Sequence, residues 1–161
     1  MSELIKVGMA DYKTGRFPSS LISYGLGSCV GIALYDGVTK IGGLSHIMLP
    51  DSTQARSADN PAKFANTALP IMLDEMIKMG ALRSRITAKI AGGAQMFTFA
   101  NATDIMRVGQ RNAEAVRLLL KKMDIKIIAD DTGGNYGRTV ELKLDTGIYL
   151  VRTIDKGEKE L

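Results

Sequence analysis

The chain has one cysteine, one histidine and no tryptophan among its 161 residues, and only 6% of it is aromatic. A single cysteine cannot form an internal disulfide, which excludes a secreted disulfide scaffold. A reducing, cytoplasmic setting is expected, where the thiol stays available for chemistry. No apolar run approaches the ~20 residues needed to span a bilayer. The start, Met1-Ser2-Glu3-Leu4-Ile5-Lys6, lacks the basic and long apolar stretches of a secretory signal, so membrane insertion is not expected. Nucleic-acid binding is not expected either. The net charge is +4, the Lys and Arg residues are scattered, and their closest clusters are the small pairs Arg83/Arg85 and Lys121/Lys122. One His and one Cys do not make a zinc site without several carboxylates. Gly25, Gly27 and Gly31 miss the dinucleotide fingerprint, whose third glycine position is Val30, so neither a metal nor a cofactor is expected. The nine methionines fall mostly at core-facing helical positions and read as gap-filling.

What is present points to one domain over residues 1–161. A chain of this length buries roughly 70% of its unfolded surface, and 45% hydrophobic with 24% charged residues is ordinary for a globular domain. Leu4–Val7 reads as a strand and Tyr12–Ser19 as a polar loop. Ser28–Tyr35 and Ile41–Met48 flank Asp36-Gly37, a hairpin signal, and residues 50–60 read as a surface loop. Asn60-Pro61 reads as a helix start, followed by apolar residues at helical spacing from Phe64 to Ile77 and a stop at Gly80. Pro70 inside that pattern predicts a kink or two pieces. Ile86, Ala88 and Ile90 alternate as a strand would, and a second helix is expected from near Asn112 to Met123. Ile125–Ala129 reads as a strand, and a second hairpin turns at Asp145-Thr146-Gly147. The tail from Asp155 is expected to fray. The fold class is α+β, with mixed and antiparallel sheets and helices packed on one side.

Cys29 and His46 are the candidate reactive pair. Cys29 follows Gly25-Leu26-Gly27-Ser28, where glycines let the backbone bend and free N–H groups that can face an oxyanion. An even-numbered hairpin loop gives paired positions with an odd sum. A two-residue loop at Gly37-Val38 sets Cys29 directly opposite His46, while a loop at Asp36-Gly37 makes them diagonal neighbours on the same face. Val30, Ile32 and Leu34 then face the core, and Cys29 shares the other face with Gly31 and Ala33, leaving room for a substrate. An imidazolium there favours the thiolate and later protonates a leaving group. Ser23, Ser45 and Asp51 are candidates to orient the imidazole.

Gly25–Val30, His46–Ser52, Ala88–Ala94 with Met96-Phe97, Gly109–Asn112 and Asp130–Gly134 together resemble the chemoreceptor glutamine deamidases, the CheD family, and the resemblance runs from about Ile5 to Glu158. It implies a cysteine-hydrolase deamidase-like fold and a catalytic set of Cys29, His46 and Ser23, the last standing where the family has threonine. It also implies deamidation of glutamine side chains on methyl-accepting chemotaxis receptors through a thioester, a plausible methylesterase activity, and a CheC-type phosphatase as regulatory partner. A binding module whose main task is to stimulate that phosphatase is the alternative.

Two further patterns are read structurally. Asp131-Thr132-Gly133 and Asp145-Thr146-Gly147 are too close for an aspartic dyad from two lobes and read as turns, although Gly133-Gly134-Asn135 is a candidate lining of the substrate cleft. Phe97 and Phe99 fit core burial better than a partner patch.

Overall fold

The structure, a computed structural model, describes residues 3–54, 60–96 and 107–161. Among these residues, ten strands form two five-stranded sheets. They are β1 (Leu4–Lys6), β2 (Asp11–Arg16), β3 (Ser20–Leu26), β4 (Val30–Asp36), β5 (Ile41–Ile47), β6 (Thr87–Gly92), β7 (Lys126–Thr132), β8 (Arg138–Lys143), β9 (Tyr149–Thr153) and β10 (Gly157–Glu160). The first sheet runs β1-β3-β8-β9-β10 and the second β2-β5-β4-β6-β7; β1/β3 and β6/β7 are parallel pairs and the rest antiparallel. Helices α1 (Ala65–Met79) and α2 (Val108–Lys122) complete an α+β architecture.

The second sheet is apolar on both faces. Val30, Ile32 and Leu34 of β4 pack with Leu69, Met72, Met76, Val116 and Leu120 of the two helices. The alternate residues Cys29 and Ala33, with Leu44 and Ala91, pack with Leu26, Val140, Leu142, Tyr149 and Val151 of the first sheet. The order is therefore sheet, sheet, helices, with both helices on one side. From sequence, the small residues of this face are expected to leave room for a substrate, but at Gly31 and Gly42 the opposing sheet fills that space. They let the sheets approach. A Cβ on Gly31 would stand 2.6 Å from the Tyr149 hydroxyl and 2.9 Å from Leu26 Cδ1, and one on Gly42 2.5 Å from Leu144 Cδ2 and 3.0 Å from the Leu34 carbonyl.

The β4–β5 hairpin has a four-residue loop, Gly37–Lys40, closed by Lys40 N–H donating to Asp36 C=O at 2.8 Å. Buried Asp36 anchors it, accepting from Val38 and Leu82 N–H and from Arg85 Nε and Nη2 at 2.9–3.0 Å. The direct Cys29–His46 pairing is corrected: with two more loop residues, Gly31 lies opposite His46. The parity is unchanged, which leaves Cys29, one residue beyond the ladder, on the same side of the sheet as His46.

Other boundaries move for local reasons. The loop expected at Tyr12–Ser19 is mostly strand β2, an edge strand whose polar residues can face water while Gly15 meets Leu144, Ile5 and Leu21 of the neighbouring layer. Asn60-Pro61 starts a 3-10 turn (Pro61–Lys63), and α1 proper begins at Ala65. Pro70 leaves α1 in one piece. It sits on the exposed face, where the carbonyl it deprives of a partner can reach water. Helix α2 begins at Val108, four residues before Asn112. The charged tail is no frayed end: β10 pairs with β9 as an exposed edge, where charge suits an unpaired ladder.

Gly42→Ala tests the sheet spacing away from Cys29. Overpacking against Leu144 and the Leu34 carbonyl should cost about 1–3 kcal/mol, read as a lower urea midpoint. An unchanged midpoint would show that the spacing is not limited at this position.

Candidate active site

Cys29 ends a bend (residues 27–29) between β3 and β4. Three successive carbonyls of that bend are taken by neighbouring elements. Ala94 N–H donates to Gly27 C=O at 2.9 Å, Asn112 Nδ2 to Ser28 C=O at 2.9 Å, and Gly93 N–H to Cys29 C=O at 2.8 Å. Cys29 keeps 7% of its surface exposed.

His46 lies on β5, fully buried, between Gly31 of β4 and Asp11 of β2. Its Nδ1 is 2.8 Å from Ser23 Oγ on β3, in the other sheet, and Ser23 Oγ donates to Val7 C=O at 2.7 Å. A hydroxyl has one proton. Because Ser23 gives it to Val7, it accepts from His46, which sets the Nδ1–H tautomer and leaves a lone pair on Nε2. That Nε2 is buried and has no partner among the described residues. The structure thus sets Ser23 against the His46 imidazole and leaves Cys29 on the same side of the sheet, with no hydrogen bond between the Cys29 thiol and His46 Nε2.

Burial lowers the His46 pKa from 6.5 to about 4. Burial also raises the Cys29 thiol, opposed by its own backbone N–H, which favours the thiolate. Both shifts favour a neutral thiol and a neutral imidazole at rest. A neutral imidazole with a free Nε2 lone pair can take the proton of a thiol that approaches it.

The other candidates to orient the imidazole do other things. Asp51 accepts from Thr53 N–H and Oγ1 at 2.8 and 2.7 Å, an Asx turn. Ser45 is buried without a hydrogen-bond partner among the described residues, and strand alternation places it on the helix side of β5. Asn135 lines a surface cleft of about 670 Å³ with Tyr24, Gly25, Tyr136 and Ile154, while Gly133 and Gly134 shape the turn at φ of +94° and +71°. Asp131 of the first Asp-Thr-Gly triplet pairs with Arg138 and Lys159 at 3.2 and 3.0 Å. Phe97 and Phe99 lie outside the described residues.

Sequence reasoning reached two anchors only as parts of motifs: the Gly93-Ala94 backbone and Asn112. It missed the Val7 carbonyl altogether. Main-chain partners leave no trace in side-chain type, and β1/β3 pairing has no local signal.

A thiol and an imidazole oriented through one nitrogen are groups that cysteine-dependent amide and acyl cleavage can use. Similarity to known proteins narrows that class. Residues 48–153 match the family model described as CheD chemotactic sensory transduction. A probable chemoreceptor glutamine deamidase CheD of Syntrophomonas wolfei is 55% identical over 159 residues, 99% of each chain. Its counterpart in Clostridium botulinum strain Hall is 50% identical over 157 residues, 98% of this chain and 97% of its own. This chain belongs to the CheD family.

The His46 shift has a consequence for stability. The unfolded chain binds the imidazole proton near pH 6.5 and the folded chain only near pH 4. Between those values the unfolded state holds more protons, so stability falls as pH drops through that window. His46→Gln removes this component. Urea unfolding from pH 8 to 4 should show wild type losing stability relative to the variant below about pH 6.5, with a constant difference above pH 7.

Proposed function

We propose that this chain is a cytoplasmic chemoreceptor glutamine deamidase, with Cys29 as nucleophile, His46 as general base and acid, and Ser23 as the group that orients His46. The observation that carries the reading is the Ser23–His46 contact at 2.8 Å, which turns the Nε2 lone pair loose on the strand face that Cys29 shares. Family membership supplies the substrate class, since the relatives are named for that activity.

The chemistry follows from those groups. The Cys29 proton passes to His46 Nε2 as Sγ bonds to the glutamine amide carbon, and the carbonyl oxygen becomes an oxyanion facing backbone N–H groups near Gly27 and Cys29. His46, now cationic, gives the proton to the amide nitrogen. The C–N bond breaks, ammonia leaves and a thioester remains. Water then adds to the thioester carbon while His46 takes its proton, and collapse returns the thiol and releases glutamate. Because burial disfavours the imidazolium, its charge is held only while the oxyanion is present to balance it. A receptor methyl ester would form the same thioester with methanol leaving, which supports methylesterase activity as part of the same reading. A CheC-type phosphatase partner rests on the family resemblance.

Mass spectrometry of a receptor cytoplasmic fragment incubated with the protein reads amide-to-acid conversion site by site. Cys29→Ala should abolish conversion while leaving phosphatase binding intact. His46→Ala should lower kcat by about 10²–10⁴-fold. Ser23→Ala should give a smaller loss that Ser23→Thr restores, because threonine keeps the hydroxyl. Conversion by Cys29→Ala at the wild-type rate would sink the mechanism.

A further inference from the structure

We propose that Asn112 is a positioning residue for the reaction: its side-chain amide holds the Ser28–Cys29 peptide and the end of β5 in place, and so aims the Cys29 N–H at the developing oxyanion. This rests on the deamidase reading above and adds a residue to it.

The β4–β5 ladder ends at Val30↔Ile47. Beyond it the strands fork. The β5 side leaves towards the 3-10 turn, with Met48 and Leu49 N–H both donating to Lys63 C=O. The carbonyls of Ser28 and Met48 are left on either side of the fork, and Asn112 Nδ2 donates to both at 2.9 Å. One amide group thus joins the residue before the nucleophile to a residue two beyond the histidine. A peptide unit is planar and trans, so its C=O and N–H point in opposite directions. Pinning Ser28 C=O on Asn112 turns the Cys29 N–H away from the helix, and that N–H faces the Cys29 sulfur.

The helix is seated for this purpose. A Cβ on Gly109 would collide with the Ala94 carbonyl and the Gly93 backbone, so only glycine lets the first turn of α2 lie that close. Three residues on, Asn112 occupies the same face. Asn112 is fully buried, and its Oδ1 has no hydrogen-bond partner among the described residues. Burying an unpaired acceptor is unfavourable. The two Nδ2 bonds satisfy carbonyls that an apolar residue of the same size would leave bare, so stability and positioning have to be separated by experiment. What an apolar residue lacks is the pair of donors.

The test compares wild type with Asn112→Leu, which keeps volume and loses the donors, Asn112→Asp, which keeps shape and presents acceptors to both carbonyls, and Asn112→Ser, which keeps one shorter donor. Each is measured for unfolding midpoint, for kcat and KM per titratable Cys29, and for the pH profile of Cys29 alkylation by iodoacetamide, which needs no receptor substrate. We expect kcat to fall about 10²-fold for Leu and Asp, the scale of a small misplacement of reacting groups, with KM within about two-fold. The alkylation profile should move to higher pH, with Ser intermediate in both. A purely structural role would lower the midpoint and leave kcat per titratable Cys29 and the alkylation profile unchanged. Any folded variant with that pattern overturns the proposal, and if Leu and Asp do not fold, Ser decides it. Should wild type show no deamidation, the reading in the preceding section fails, while the alkylation profiles still decide whether Asn112 positions Cys29.

Discussion

The closeness of the two sheets is the constraint on which the site depends. A serine side chain is short, and Ser23 reaches His46 from the opposite sheet at 2.8 Å only because the inner faces are almost in contact there. That contact requires Gly31 and Gly42, where a Cβ would run into Tyr149, Leu26 or Leu144. Sheet packing and histidine tautomer are therefore one problem. If the sheets moved apart, Nδ1 would lose its acceptor, Ser23 would keep only Val7, and nothing would bias the imidazole towards presenting a lone pair at Nε2.

Legibility in the sequence followed the range of the interaction. The β4–β5 hairpin was readable because alternation and Asp36-Gly37 lie within a few residues, and only parity was needed to place Cys29 and His46 on one face. The register was off by one step because Asp36 spends its carboxylate on Val38, Leu82 and Arg85, partners that widen the loop to four residues and come partly from 49 positions away. Ser23 was one of three nearby candidates with Ser45 and Asp51, and family resemblance chose it. No local pattern singles it out, because its partners are Val7 just after β1 and His46 in another sheet. Strands β2 and β10 were missed for a common reason. Both are polar edges, whose residues look like loop because water takes one side of them.

Burial sets the electrical state of the site. Thiol and imidazole are both moved towards their neutral forms, so in the proposed reaction charge is created as the thiol attacks and not stored beforehand. A resting ion pair would have to be desolvated with little to pair it, whereas an imidazolium formed together with an oxyanion is neutralised as it appears. The same reasoning explains why the main chain is so heavily used. Fixed dipoles of peptide N–H groups can stabilise an oxyanion without adding a net charge that a buried pocket would have to accommodate at rest.

The distribution of unsatisfied atoms supports this view of where the fold gives up stability. His46 Nε2, Asn112 Oδ1 and the Tyr149 hydroxyl are all buried without a partner among the described residues. All three gather around the start of β4: Tyr149 against Gly31, His46 opposite Gly31, and Asn112 on the carbonyl of Ser28. Asp36 is fully engaged at the other end of the hairpin, whereas Thr39 Oγ1 in the loop and Ser45 Oγ on the helix side of β5 are also buried without a partner among the described residues. Orphaned polar atoms are costly. The three near the start of β4 differ from those two in lying beside the single cysteine, where the proposed reaction gives His46 Nε2 a use for a free lone pair.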